Sequence, residues 1–150
     1  MNIKTFFSLF FCFLLNFAVL ENVDAFAKIS SKLHVYTFWG CTPGMKSNHS
    51  FDTDESQRFQ VLDVKNYSVA QLFSMAILEG ISMPKENIVI PNGALRELSE
   101  RHCYRIAAYK SNINEIYKMM LSSLHGEFPG YSVTVEIRSG KKFLVFKYKS

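Results

Sequence analysis

The clearest pattern in this chain is an apolar stripe at helical spacing that is written twice. Val69, Leu72, Phe73, Ala76, Ile77 and Gly80 fall at i, i+3, i+4, i+7, i+8 and i+11, and 44 residues later Ile113, Ile116, Tyr117, Met120, Leu121 and Leu124 repeat that spacing. Apolar residues recurring with this period put one buried face on an α-helix. Each helix also opens with a pair suited to a capping box, Ser68 with Gln71 and Asn112 with Glu115. Their side chains can satisfy free N–H groups of the first turn. An apolar run precedes each helix, at 58–64 and at 103–109, so residues 59–80 and 103–124 are expected to fold as matching strand–helix units whose stripes meet in one core. Gly80 suits the left-handed end of the first helix.

The remaining elements follow from shorter signals. Residues 33–39, Leu-His-Val-Tyr-Thr-Phe-Trp, are β-branched and aromatic and stop at Gly40, Pro43 and Gly44, which predicts an additional strand and a turn. From 45 to 58 the chain is polar, with Asp52, Asp54 and Glu55, and is expected to be a linker. Residues 87–90 predict a short buried strand, and 94–101 one or two helical turns. Tyr131, Val133, Val135 and Ile137 alternate with Ser132, Thr134, Glu136 and Arg138, placing four apolar groups on one face. Ser139-Gly140 then turns the chain into a returning strand, 142–149, with apolar residues on both faces of its middle. The expected fold class is α+β: strand-helix-strand-strand-helix-strand-strand, with one extra N-terminal strand.

Composition adds an address. Residues 1–25 read as a secretory signal: Lys4 gives the positive start, and 5–20 is an uncharged Phe/Leu-rich stretch too short for a spanning helix. Removing them takes away Lys4, Glu21 and Asp24 and raises the net charge from +4 to +5. The expected organisation is a signal peptide at 1–25, an N-terminal strand and polar linker at 26–56, and an α+β domain at 57–150. Localisation is then the periplasm or the secreted fraction, with membrane contact peripheral at most. Two cysteines remain after processing, Cys41 and Cys103. An oxidising compartment makes a disulfide their simplest use, with two buried thiols as the other reading.

The chemistry-bearing residues form no recognisable motif. Cys41-Thr42-Pro43-Gly44 lacks the second cysteine of a redox turn, and His34, His49, His102 and His125 show no metal-ligand spacing. There is no phosphate loop, nucleophile elbow or paired-carboxylate motif. No cofactor and no enzyme activity are expected. Asn48-His49-Ser50 and Asn66-Tyr67-Ser68 match the glycosylation pattern, with a structural role at least as good for Asn66. Arg138, Lys141, Lys142, Lys147 and Lys149 make the last residues basic against the single acid Glu136. They suit either a guarded strand edge or a docking surface for an acidic partner. Nucleic acid is not the expected partner, since the aromatics here alternate as core residues.

The run 59–76, followed by Gly80-Ile81 and by 87–91, resembles the small periplasmic domain at the N-terminus of secretins and of some TonB-dependent receptors. Residues 104–109, 112–124 and the hairpin are similar to its closing half, which also occurs in small proteins of type IV pilus and type IV secretion assembly. The chain carries no secretin pore after this domain. The resemblance implies a non-enzymatic, protein-binding component of a bacterial envelope secretion, pilus or transport assembly, with self-association into a homo-oligomer as a further expectation. A secreted effector or small hydrolase with an unassigned active site is the alternative. Partner binding is expected along the returning hairpin strand, at Phe143, Val145, Lys147 and Lys149.

Overall fold

The computed structural model describes residues 34–54, 58–109 and 111–149, and residues 34–150 make one compact unit. The expected signal segment and cleavage site lie outside the described residues. None of the helices among the described residues is long and apolar enough to cross a membrane. The fold is α+β, with two sheets and three α-helices among the described residues.

The first sheet has four antiparallel strands: β1 (His34–Gly40), β2 (Asn48–Thr53), β3 (Phe59–Ser68) and β5 (Arg101–Tyr109), in the order β1-β5-β3-β2. Strand alternation decides its inner face. Leu62 pairs with Ile106 and Val64 with Tyr104, and all four side chains are fully buried. The segment 45–58, expected to be a linker, instead contains β2, which pairs with β3 from Asn48↔Lys65 to Thr53↔Gln60. All six residues of β2 are exposed. The strand is held by backbone pairing to its neighbour, a contribution that hydrophobic alternation does not report. Residues 34–53 therefore belong to the same body as the segment from 57 onward.

Helices α1 (Val69–Ile77) and α3 (Ile113–Glu127) follow β3 and β5, as the repeated stripe predicts. Both capping boxes are present. Gln71 N–H donates to Ser68 Oγ at 3.2 Å and Ser68 N–H to Gln71 Oε1 at 3.1 Å. Glu115 N–H donates to Asn112 Oδ1 at 2.9 Å and Asn112 N–H to Glu115 Oε2 at 3.0 Å. Leu72, Phe73, Ile116, Met120 and Leu124 are fully buried, whereas Leu121 is only partly so. Phe73 is a meeting point, edge-on to Phe146 at 5.5 Å and to Phe128 at 6.3 Å between ring centroids. Tyr104 reaches Ser123 Oγ at 2.7 Å, and Ser123 donates onward to the Met120 carbonyl, so neither buried hydroxyl is stranded. Burial pushes the Tyr104 phenol far above its usual range.

The first helix ends earlier than the stripe suggests. Its last turn closes with Gly80 N–H donating to the Met75 carbonyl at 2.8 Å, the six-to-one bond of a Schellman ending. Glu79 occupies the first left-handed position at φ 49, and Gly80 follows at φ 101. A side chain at Gly80 is excluded on a second ground. A Cβ there would lie 2.6 Å from the Tyr117 hydroxyl of α3. Ser74 then fixes the exit: its Oγ donates to the Ile81 carbonyl at 2.9 Å and accepts from Met83 N–H at 2.8 Å.

The second sheet holds β4 (Ile88–Val89), β6 (Tyr131–Arg138) and β7 (Lys141–Tyr148) in the order β4-β7-β6. Strand β4 runs parallel to β7, and a short helix α2 (Leu95–Ser99) connects toward β5. Leu144 and Phe146 of β7 complete the core beneath the helices.

Candidate functional site

The hairpin β6–β7 pairs throughout, from Tyr131↔Tyr148 to Arg138↔Lys141, and turns through Ser139 at φ 49 and Gly140 at φ 76. Two consecutive left-handed residues are what a two-residue primed turn requires. Strand β7, expected to be the docking edge, lies inside its sheet: Leu144 and Val145 pair with Ile88 and Val89 on one side and with Val135 and Thr134 on the other. Val145 is 4% exposed. Strand addition therefore has no room at Val145, because both of its backbone edges are taken. Among the described residues this sheet has two outer strands, the two-residue β4 and the eight-residue β6.

The apolar stripe of β6 is only half used. Along one face Tyr131 is 6% exposed, Val133 is partly buried, Val135 is 37% exposed and Ile137 73%. The period-two pattern places these four groups correctly on one face. The core beneath them ends before the hairpin does. The distal half of the ribbon thus presents two aliphatic side chains to solvent on an open strand.

The charged groups Glu136, Arg138 and Lys147 take the opposite face of the ribbon, alternating with that stripe. Arg138 donates to Glu136 Oε2 at 2.8 Å, Lys147 Nζ lies 3.3 Å from Glu136 Oε1, and these hydrogen bonds hold the Glu136 carboxyl below its usual range. Lys147 is therefore already partnered. Lys141, Lys142 and Lys149 are exposed and make no ion pair among the described residues. The Arg138 guanidinium also sits 5.4 Å from the centroid of the half-buried Phe143 ring. At the base of the hairpin the Tyr131 hydroxyl donates to Glu97, which pushes its pKa up to about 12. That bond ties the buried end of β6 to α2.

A second built feature sits at the end of the first sheet. Cys41 and Cys103 are joined as a disulfide, with Cα atoms 5.5 Å apart. The bond links the residue after β1 to the neighbouring strand β5 and joins the two of the three cysteines that lie outside residues 1–25. Asn66 occupies an irregularity in β3 between Val64 and Tyr67, at φ 60. Its backbone N–H points at Cys41 Sγ at 3.1 Å, and its side-chain amide donates to the Met45 carbonyl. The Asn66 amide is thus engaged within the fold, whereas Asn48 lies exposed on β2.

The histidines are dispersed. His49 meets the Tyr67 hydroxyl at 3.3 Å, His102 stacks on Phe38 at 4.3 Å, and His125 packs against Phe73 at 5.2 Å. His34 is exposed at the start of β1. No group of three His, Cys, Asp or Glu residues suited to a metal occurs among the described residues. Comparison with protein-family models, with curated proteins and with solved structures finds no match.

Proposed function

We propose that this chain is an exported, disulfide-stapled domain that works by binding another protein, and that the partner docks on the distal half of the hairpin along β6. The observation that carries the reading is the stripe Tyr131–Val133–Val135–Ile137, buried at one end and bare at the other, on the longer outer strand of its sheet. An extended segment added there would gain backbone hydrogen bonds, while Val135 and Ile137 fill its side-chain pockets. Lys141 and Lys142 beside the turn favour a partner with acidic residues and speed its encounter. This moves the docking strand from β7 to β6 and replaces Phe143 and Val145 by Val135 and Ile137, keeping the basic rim.

Export is supported by the disulfide, since such bonds persist in oxidising compartments. Membership of a bacterial envelope secretion, pilus or transport assembly rests on the resemblance of residues 57–149 alone. The test is site-specific photocrosslinking in the native envelope, with the probe at Ile137 and, as a control, at Ile81, which is also exposed but lies off the hairpin. A discrete adduct at Ile137, absent at Ile81 and weakened when Lys141 and Lys142 are changed to Glu, is the expected result. Equal labelling at the two positions, or none at Ile137, overturns the docking surface.

A further inference from the structure

Away from the hairpin patch, a cleft of about 470 Å³ opens between β4, α2 and the junctions β3–α1 and α2–β5. Its floor is apolar: Leu98 is fully buried, Ile88 and Ile90 are half-buried, and Leu95 forms a wall although 58% of it is exposed. Its rim carries Lys85 and Arg101 with the polar side chains of Asn92 and Ser99. A volume in this range, with an apolar lining and a few convergent polar groups, is typical of a small-molecule site.

Among the described residues the two cations at the rim are not neutralised by a neighbouring carboxylate, a condition they share with Lys141, Lys142 and Lys149. Lys65, Arg138 and Lys147 each have a carboxylate within 3.4 Å. Lys85 and Arg101 make no ion pair among the described residues. Arg101 is nevertheless positioned, because Nη1 donates to Ser47 Oγ at 3.1 Å and to the Asn66 carbonyl. That anchoring occupies one nitrogen and leaves the rest of the guanidinium fork available. A pre-oriented fork is the group best matched to a planar carboxylate. Two acids near Arg101 are directed elsewhere, Glu100 facing His102 at 3.8 Å and Glu97 accepting from Tyr131, and Glu86 beside Lys85 is exposed.

We infer that this cleft binds a small amphipathic carboxylate, its hydrocarbon part on Ile88, Ile90, Leu95 and Leu98 and its carboxylate between Lys85 and Arg101. Charge complementarity selects the head group, and the apolar floor selects a ligand with a tail. Neither acetate nor a neutral alcohol satisfies both halves of the site.

The experiment titrates the oxidised chain with decanoate, decanol, acetate and inorganic phosphate, following amide shifts and heats of binding. Decanoate is expected to saturate, with the largest shifts at Ile88, Ile90, Leu95 and Ser99. Decanol should bind at least about tenfold more weakly, since it lacks the charge-assisted hydrogen bonds. Acetate and phosphate should not saturate. Lys85→Gln, at an exposed position, should weaken decanoate about threefold and leave decanol unchanged. Leu95→Asn should weaken both. The inference is overturned if decanol matches decanoate, if phosphate binds as tightly as decanoate, if Lys85→Gln has no effect in a protein of unchanged fold, or if the shifts map to the hairpin.

Discussion

The two strand–helix units carry the same apolar spacing and the same kind of cap, yet α1 has 9 residues and α3 has 15. The difference is made where the helices meet. Tyr117 occupies in the second stripe the place that Phe73 holds in the first, and its hydroxyl arrives where a side chain at position 80 would stand. One helix stops so that the other can pass. Burial nevertheless repeats along the stripe: Leu72 and its counterpart Ile116 are both sealed, and Ile77 and its counterpart Leu121 are both only partly covered. A repeated pattern gave two similar elements, and their contact made them unequal.

The strongest way to break this comparison is at the sealed stripe. Leu72→Ala should lower stability by about 2–5 kcal/mol, the cost of lost transfer energy and a cavity, read as a shift in denaturation midpoint at unchanged slope. At the partly covered end of the second stripe, Leu121→Ala should cost about 1 kcal/mol, because a half-exposed site loses less burial and refills with water. A loss equal to that of Leu72→Ala would mean that Leu121 is sealed in solution as Leu72 is.

A smaller effect sharpens the reason for the asymmetry. Gly80→Ala should cost on the order of 1–3 kcal/mol, combining a left-handed backbone with a clash at the Tyr117 hydroxyl. In a Tyr117→Phe background part of that loss should be recovered, since the hydroxyl is the nearest atom. Additive losses in the double variant would assign the whole cost to the backbone and remove Tyr117 from the explanation.

The smallest expected effect lies in the last turns of α3, which have no counterpart in α1. Burial against the core, and secondarily the Lys149 charge, hold the His125 pKa below its ordinary value, and its buried Nδ1 has no hydrogen-bond partner among the described residues. The folded state thus favours the neutral ring, so at acid pH the unfolded chain binds more protons. This contribution is complete above the unfolded pKa of about 6.5 and is lost as pH falls through it toward the lower folded value. Denaturation midpoints should fall between pH 7.5 and pH 5, and His125→Phe should flatten part of that slope. An unaltered slope would exclude the ring as a proton-linked site.

What was legible in the sequence tracks what each signal physically encodes. The stripes and caps of α1 and α3 were readable because burial period and orphan N–H groups are local properties. Strand β2 was not, because its stability comes from pairing with β3 while all its side chains face solvent. Glu79 at a left-handed position could not be foreseen, since Gly80 was needed one step further on to admit a tyrosine from another helix. The hairpin was readable as a period of two, which states which face a residue takes but not how far the layer below extends. For the same reason Val145 looked available for docking until β4, only two residues long, was seen alongside it. The disulfide was suggested by an even count. The cleft had no signal, because its lining joins residues 68–70 to the irregular stretch 85–101, whose short elements carry no clear period.

The covalent link between Cys41 and Cys103 spans a sequence separation of 62 and encloses β2, β3, α1, β4 and α2. Pulled from its two ends, an oxidised chain transmits force across the sulfurs and leaves that interior slack. Its contour length is then shorter by roughly 210 Å than that of the reduced chain, at about 3.4 Å for each extended residue. A molecule anchored at one end and loaded at the other would keep β2 and β3 of its first sheet unstrained while β1, most of β5, α3 and the hairpin bear the tension.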